Sequence, residues 1–259
     1  MITSQAAFQV ASGLYVLALL VSLLPGGNGL RAMLLLVPAL VCNTITVLLR
    51  YHQAWPMLPM HLGAVALPLC LGLILPFAIT TKDAQLRRIQ QNILFCLIVL
   101  LGATALCFPK DYYLPFLKSK NLFAHGFLWF GVVGKGCFFV SATWALSGLF
   151  LAILRGDKRQ LATTRSRSLR WGALGFALWT ISMFSGEFWS YLGWGTPVVW
   201  EDPALTLTMA AWFFYACFLH LHLAGAWNQT ACALYASFGG LFILALTCVP
   251  DFGPFRAPF

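Results

Sequence analysis

The sequence predicts an all-α, polytopic integral membrane bundle of about eight transmembrane helices. Three observations predict it. Of the 259 residues, 60% are hydrophobic and only 9% are charged, too little polar surface for a soluble domain of this length to cover itself. Long apolar runs recur along the chain, each able to cross a bilayer as roughly 20 residues of helix. The basic residues read as loop residues between those runs, where they set topology.

The elements follow in order, at about 6–25, 32–50, 60–80, 92–108, 122–154, 171–192, 203–225 and 229–249. The first residues, M-I-T-S-Q-A-A-F-Q-V, lack a basic n-region. Met1–Leu24 therefore reads as a first span rather than a cleaved signal. Prolines 56, 59, 68 and 76 predict a kinked or partly re-entrant third span. The fifth run is too long for one crossing, so part of it should extend beyond the hydrocarbon. No internal repeat is evident. Residues 1–259 read as a single membrane domain, with N-terminal spans over 1–110 and a core over 120–225.

The connection 155–170 holds Arg155, Lys158, Arg159, Arg165, Arg167 and Arg170, the densest basic stretch in the chain. It should be a cytoplasmic loop. The loops at Arg31 and Lys82–Arg88 then lie inside too. The loop 193–203 has two acids and no Lys or Arg, and falls outside. Lys110, Lys118 and Lys120 oppose this orientation, and the 155–170 cluster outweighs them. The net charge of +9 is accordingly a topology signal and predicts no nucleic acid partner. The chain's partner by composition is the lipid bilayer. Eight scattered cysteines show no C-x-x-C spacing, so they read as small buried residues rather than a disulfide or zinc framework. No G-x-x-x-x-G-K-[ST], G-x-S-x-G or H-E-x-x-H motif occurs, and the helix cores read as almost free of charge, which argues against an aqueous transporter.

One stretch asks for more than a membrane anchor. Residues 186–203, G-E-F-W-S-Y-L-G-W-G-T-P-V-V-W-E-D-P, carry Trp189, Trp194 and Trp200. Trp144, Trp171, Trp179 and Trp227 read as ordinary interfacial tryptophans. In the 186–203 stretch Gly186, Gly193, Gly195 and Pro197 should break the helix. The segment would then present several indoles from one loop. Indoles give large rigid contact area at low entropic cost, which suits a flat apolar macrocycle. The clustered acids Glu187, Glu201 and Asp202 read as solvated loop acids, or as groups that help position a charged ligand together with Arg256.

W-G-T-P-V-V-W-E-D-P, followed by Trp212 and by F-L-H at 218–220, resembles the tryptophan-rich WWD signature of haem-handling proteins in cytochrome c maturation, the CcsA/ResC and CcmC/CcmF proteins. Val198 stands where that signature usually has tryptophan, and Glu201 reads as a one-residue insertion. With it allowed, Asp202, Trp212 and His220 fall in register. Eight spans favour the CcsA/ResC branch, and the resemblance is strongest over about 120–225, which it makes a haem-handling core with a WWD-like loop at 186–203.

The resemblance implies haem b bound without covalent attachment. It implies His125, in K-N-L-F-A-H-G-F, as an external axial ligand, and Trp189, Trp194, Trp200 and Asp202 at the haem surface. Neutral imidazole is a sound ligand for haem iron. His220 would ligate haem on the inner side. His220 and His222 lie about 200° apart on a helix, and the family position favours His220 as the bundle-facing one. Residues 248–259 hold no histidine where a second external ligand is usual. His61, or with less support His52, a partner subunit or the incoming apocytochrome then supplies it, or lyase function is lost. The implied role is presentation of haem at the outer face of a bacterial inner (plasma) membrane, or an equivalent energy-transducing membrane. The clients would be apocytochrome c or a multihaem cytochrome, with a CcsB/ResB-like membrane partner. Whether the chain takes part as a haem lyase stays open at this point. The alternative is a repurposed relative, a haem b-binding or structural membrane subunit of a redox or assembly complex without lyase activity.

Overall fold

A computed structural model describes residues 3–24, 29–56, 58, 62–107, 121–156, 159–198, 203–225 and 227–248, without the side chains of 155, 159, 160, 194 and 203–205. The described residues form eight helices: α1 (Ser4–Leu23), α2 (Gly29–Ala54), α3 (Leu62–Ala78), α4 (Ala84–Cys107), α5 (Leu122–Arg155), α6 (Arg159–Trp194), α7 (Pro203–Leu223) and α8 (Gln229–Cys248). Six of them, α1, α2, α4, α5, α7 and α8, are long and apolar enough to cross a membrane. The protein is a multi-pass helical membrane protein. Two compact units divide the chain, Met1–Leu117 and Lys118–Phe259.

In the first unit α1 packs on α2 and α4, and α3 packs on α2 and α4. Polar side chains fix the register inside an apolar ring. Asn43 Nδ2 donates to Tyr15 Oη at 3.1 Å, Ser22 bonds Asn92, and Gln91 Nε2 donates to the Gly29 carbonyl at 3.2 Å. Asp83 starts α4 by accepting from the Gln85 and Leu86 amides at 2.9 and 3.1 Å, the usual N-cap arrangement. The prolines of α3 leave it a helix without interruption over Leu62–Ala78, with Pro68 and Pro76 inside it. Within Leu62–Ala78 there is thus no break, and residues 57 and 59–61, with Pro59, lie outside the described residues.

In the second unit α5 and α6 form the principal antiparallel pair, with α8 against α5 and α7 against α6 and α8. Small residues bring the two long helices together, as packing in lipid favours. Gly134 sits where an added Cβ would lie 3.2 Å from the backbone nitrogen of Trp179. Ser182 Oγ donates to the Phe127 carbonyl at 2.6 Å, and Ser141 Oγ donates to that of Ser168 at 2.7 Å. Aromatic packing closes the rest: Phe138 stacks on Tyr215 with centroids 3.5 Å apart, and Tyr235 Oη donates to the Phe214 carbonyl at 3.1 Å.

Two expectations about elements change. Of the basic stretch 155–170, residues 159–170 are helix and not loop, and 157–158 lie outside the described residues. Gly156, in the left-handed region at φ 65°, ends α5, and α6 begins at Arg159. The reason is an unbroken stripe at spacings of three and four: Leu161, Thr164, Ser168, Gly172, Gly175, Trp179 and Ser182, all buried. The charges ride on the other faces, and Arg167 sits 5.9 Å over the Trp144 ring. Likewise α6 runs through Gly186 and Gly193 and ends only at Trp194. A helical glycine costs about 1 kcal/mol, too little to break a helix whose stripe is buried. Gly195, at φ 74°, is the residue that ends it. Trp144 and Trp179, read as interfacial, are 2% and 5% exposed core residues. Of the cysteines, Cys137 and Cys232 are buried, whereas Cys96, Cys107 and Cys217 are exposed.

Candidate functional site

At one end of the second unit the first turns of α5, the last turns of α6 and the first turns of α7 come together. Asn121 fixes the start of α5: its Oδ1 accepts from the Ala124 amide at 2.8 Å. That cap puts His125 in the first turn. Phe123 and Phe127, one turn apart, face α6, with ring centroids 5.2 Å from Phe188 and 6.0 Å from Trp189. Gly186 makes room for this, since a Cβ there would lie 2.8 Å from the Phe127 ring.

Beside these rings is a small crevice of about 10 Å³, lined by Phe127, Met183, Glu187, Val198, Thr208 and Met209, with Gly186 at its wall. Its rim is held by the turn that follows α6. Gly195 N donates to the Tyr191 carbonyl at 2.9 Å, and Ser190 Oγ donates to that of Thr196 at 2.8 Å. Thr196 Oγ1 in turn donates to the carbonyl of Val198 at 3.0 Å. Glu187, expected as a solvated loop acid, is helical and part-buried in this crevice.

The predicted site residues distribute as follows. Trp189 lies on α6, not on a loop, and is part-buried against Phe127. His125 is part-buried at the same end of the unit. It stands two positions from both Phe123 and Phe127, hence roughly 160–200° around α5 from the faces that meet α6. It shares the end with Trp189 and lies on another side of its own helix. Trp194 closes α6, and its side chain lies outside the description. Trp200, Glu201, Asp202, His61 and Arg256 lie outside the described residues.

His220 is exposed, at the far end of α7 from the crevice. The buried face of α7 runs through Ala211, Tyr215 and Phe218, and that spacing continues to His222, not His220. His222 is part-buried, with Nδ1 2.9 Å from the Phe218 carbonyl and its ring 4.3 Å from that of Phe218. The expected orientation of the pair is therefore reversed: His222 is the inward one within this unit.

Two features went unnoticed in the sequence. Met183 and Met209 bring two thioethers to the crevice. And Lys135 stands in the middle of α5, in G-V-V-G-K-G-C-F-F-V, with Nζ 5.7 Å from the centroid of Trp179. A lone lysine inside an apolar run is the signal that could have found it.

Among the described residues no three His, Cys, Asp or Glu side chains gather as a metal-ion site. Haem brings its own ring donors and asks the protein for axial ligands and apolar walls. The residues here fit that demand in kind: imidazole at the helix start, thioethers and aromatic rings around the crevice. At about 10 Å³ the crevice is far below the roughly 300–1,000 Å³ of enclosing ligand sites, so it does not itself hold a porphyrin, and the fit is one of donor and wall chemistry alone.

Comparison with known proteins agrees in kind. Residues 58–249 match the family model described as cytochrome C assembly protein, a range that holds α3 through α8. The protein named "Cytochrome c biogenesis protein CcsA" of Chlorella vulgaris is 26% identical over 248 residues, 79% of this chain and 78% of its own length. Its namesake in Prochlorococcus marinus (strain MIT 9301) is 34% identical over 115 residues, 44% of this chain. The one in Cyanidium caldarium is 31% identical over 96 residues, 37% of this chain and 32% of its own length. In the Prochlorococcus match the chain spans 35% of the relative's length. With the family model covering well over half of its residues, from the third helix to the last, the chain belongs to the cytochrome C assembly protein family.

Proposed function

We propose that this chain is a haem-handling membrane subunit of cytochrome c maturation, presenting haem b at the outer face of a bacterial inner membrane, or an equivalent energy-transducing membrane. The client is apocytochrome c or a multihaem cytochrome. The observation that carries the reading is the packing of Phe127 on Trp189 beside a crevice walled by aromatic rings and thioethers, at the end of the unit that also holds His125 on another side of α5. Membership of the family and the printed names of the relatives support it.

Haem, when bound, supplies an iron for axial ligation and vinyl groups that can be joined to cysteine thiols. The chain's own part is to hold and orient. The residues that would hold haem are His125, at the start of α5, for the iron, and Trp189, Trp194, Trp200 and Asp202 for the porphyrin surface; His220, exposed on α7, is the inner candidate, with His61 a further candidate. Positioning is most of what such a site contributes to bond formation. A CcsB/ResB-like partner would bring the external domain and complete the lyase activity.

The test is a haem titration of the detergent-solubilised chain, followed by its Soret band. Wild type should bind, and His125→Ala and Trp189→Ala should each weaken binding at least about tenfold, the scale of one good contact. Unchanged binding in both would remove the site from this end of the unit. A second reading, a haem b-binding or structural subunit of a redox or assembly complex without lyase activity, is favoured by Val198 and Glu201, which depart from the WWD signature. It predicts that cells lacking the protein still load haem onto C-x-x-C-H cytochromes, whereas the first reading predicts unloaded apoprotein.

A further inference from the structure

α7 and α8 are 21 and 20 residues long, about 30 Å of helix each, which matches one hydrocarbon core. Their ends at Leu223 and Gln229 therefore mark its edge on the basic side of this unit. The α5–α6 hairpin runs past both. A Cβ on Gly172 would lie 2.8 Å from the Phe218 ring, so those two residues are level. From there α6 continues about 20 Å to Arg159 and α7 about 7 Å to Leu223, an overhang of about 12 Å. Measured from Gly240, where a Cβ would meet Ala142, the hairpin outruns α8 by about 3 Å. The overhang is basic and partly apolar. Residues 155–170 hold six Lys and Arg and one acid, Asp157, with Arg155, Lys158 and Arg159 around the turn. Arg167, further back, is occupied on the Trp144 ring at 5.9 Å. On the last turns of α5, Phe150, Ile153 and Leu154 are 50%, 79% and 57% exposed. Their spacing of three and four puts them on one side of the helix.

We propose that the tip of the α5–α6 hairpin is a docking surface for anionic phospholipid headgroups, seated at the acyl boundary by Phe150, Ile153 and Leu154 and held through their phosphates by Lys158 and Arg159. Charge complementarity sets the sign of the occupant, since six bases against one acid attract anions. Depth selects lipid over a soluble acidic protein. The headgroup layer adds about 5–7 Å to each face of the hydrocarbon, and the tip stands about 3–12 Å beyond the ends of α8 and α7. Apolar side chains beside Lys and Arg are the composition that rests at that boundary, and long basic side chains reach phosphates from it. Bases that only fix topology need no particular lipid after insertion, whereas these would hold anionic lipid in preference to neutral lipid. Haem plays no part in this contact.

The experiment is native mass spectrometry of the full chain released from micelles doped with equal amounts of dioleoyl phosphatidylglycerol and dioleoyl phosphatidylcholine. The thermal midpoint in each lipid is the second reading. Wild type should retain phosphatidylglycerol at least about tenfold over phosphatidylcholine, the scale of two bases at an anionic surface. Lys158→Gln with Arg159→Gln should lose most of that preference, and an unchanged midpoint in phosphatidylcholine shows that this variant is folded. Lys158→Arg with Arg159→Lys should keep the preference. Arg31→Gln with Lys82→Gln, which removes two exposed bases of the first unit, should keep it as well. Ile153→Ser with Leu154→Ser should shorten retention of phosphatidylglycerol. No preference in wild type, or an undiminished one in Lys158→Gln with Arg159→Gln, overturns the inference. Equal loss in the two neutralised pairs overturns it too, because the effect is then one of net charge. Capture of an acidic soluble protein by the hairpin, with no lipid preference, assigns the surface to protein and overturns it likewise.

Discussion

Gly134 and Ser182 hold the same helix pair together and differ in what they contribute. Ser182 adds a hydrogen bond to the Phe127 carbonyl, and such bonds in membrane bundles contribute about 0.6 kcal/mol on average. Gly134 contributes an absence: a side chain there would press on the Trp179 nitrogen at 3.2 Å and the Gly175 carbonyl oxygen at 3.3 Å, both backbone and unable to yield. Overpacking of that kind costs about 1–3 kcal/mol. Gly134→Val should therefore lower the thermal midpoint of the solubilised chain clearly more than Ser182→Ala does. A Gly134→Val protein as stable as wild type would mean that α5 and α6 do not approach as closely as this. The same residues show why a sequence reading reached Trp189 and passed over Lys135. Tryptophan in a Gly- and Pro-rich stretch announces itself through composition. A lone lysine is averaged away in a window that is otherwise apolar, and only its placement over Trp179 gives it a partner.

At the scale of elements, the boundaries of α1, α5, α7 and α8 follow directly from where the apolar runs stop and where Asn121 caps. The extent of α6 did not, because two signals compete over 155–170. Net charge reads as a loop there, while the buried Leu161, Thr164 and Ser168 continue the stripe of the span. Packing against α5 decides in favour of helix, since Ser141 can bond Ser168 only if the stripe remains in register. Thr163 is exposed on this segment, so a substitution there acts through the backbone alone. Thr163→Pro removes one helical hydrogen bond and clashes with the preceding turn, a cost of about 3 kcal/mol in a helix interior. The expected outcome is a marked drop in thermal midpoint, with faster amide exchange over 159–168. In a true loop the same change would be nearly neutral, and that result would restore the sequence-based reading. The WWD-like stretch shows the converse error. Glycine and proline suggested a loop from 186 onward, but Gly186 is needed for close approach to Phe127, and Gly195 alone has the left-handed backbone that stops the helix.

For the molecule as a whole, alternation of helices and distribution of charge combine into one orientation. The α5–α6 turn and the turn after α6 lie at opposite ends of a 36-residue helix, about 54 Å apart at 1.5 Å per residue. That exceeds a hydrocarbon core of about 30 Å; α6 is not among the six helices apolar enough to cross on composition alone, and on the proposed topology, which makes its 171–192 part a span, both ends emerge from the bilayer. The basic end carries Arg155, Lys158, Arg159, Arg165, Arg167 and Arg170, whereas 186–203 carries no Lys or Arg. Because Lys and Arg near span ends are retained on the cytoplasmic side, the proposed outward face is the one with Trp189 and the crevice, where haem must be presented if it is to meet an external cytochrome. Lys110, Lys118 and Lys120 pull the other way, and they are fewer than the six. Single cysteines at exposed Thr163 and Pro197, in a chain whose eight native cysteines are replaced, test the balance. A membrane-impermeant maleimide applied to intact spheroplasts should label Pro197→Cys at once and Thr163→Cys only after permeabilisation. The reverse pattern would put the crevice on the cytoplasmic side, leave the haem site facing the wrong compartment for its client, and require the function to be sought among cytoplasmic haem carriers instead.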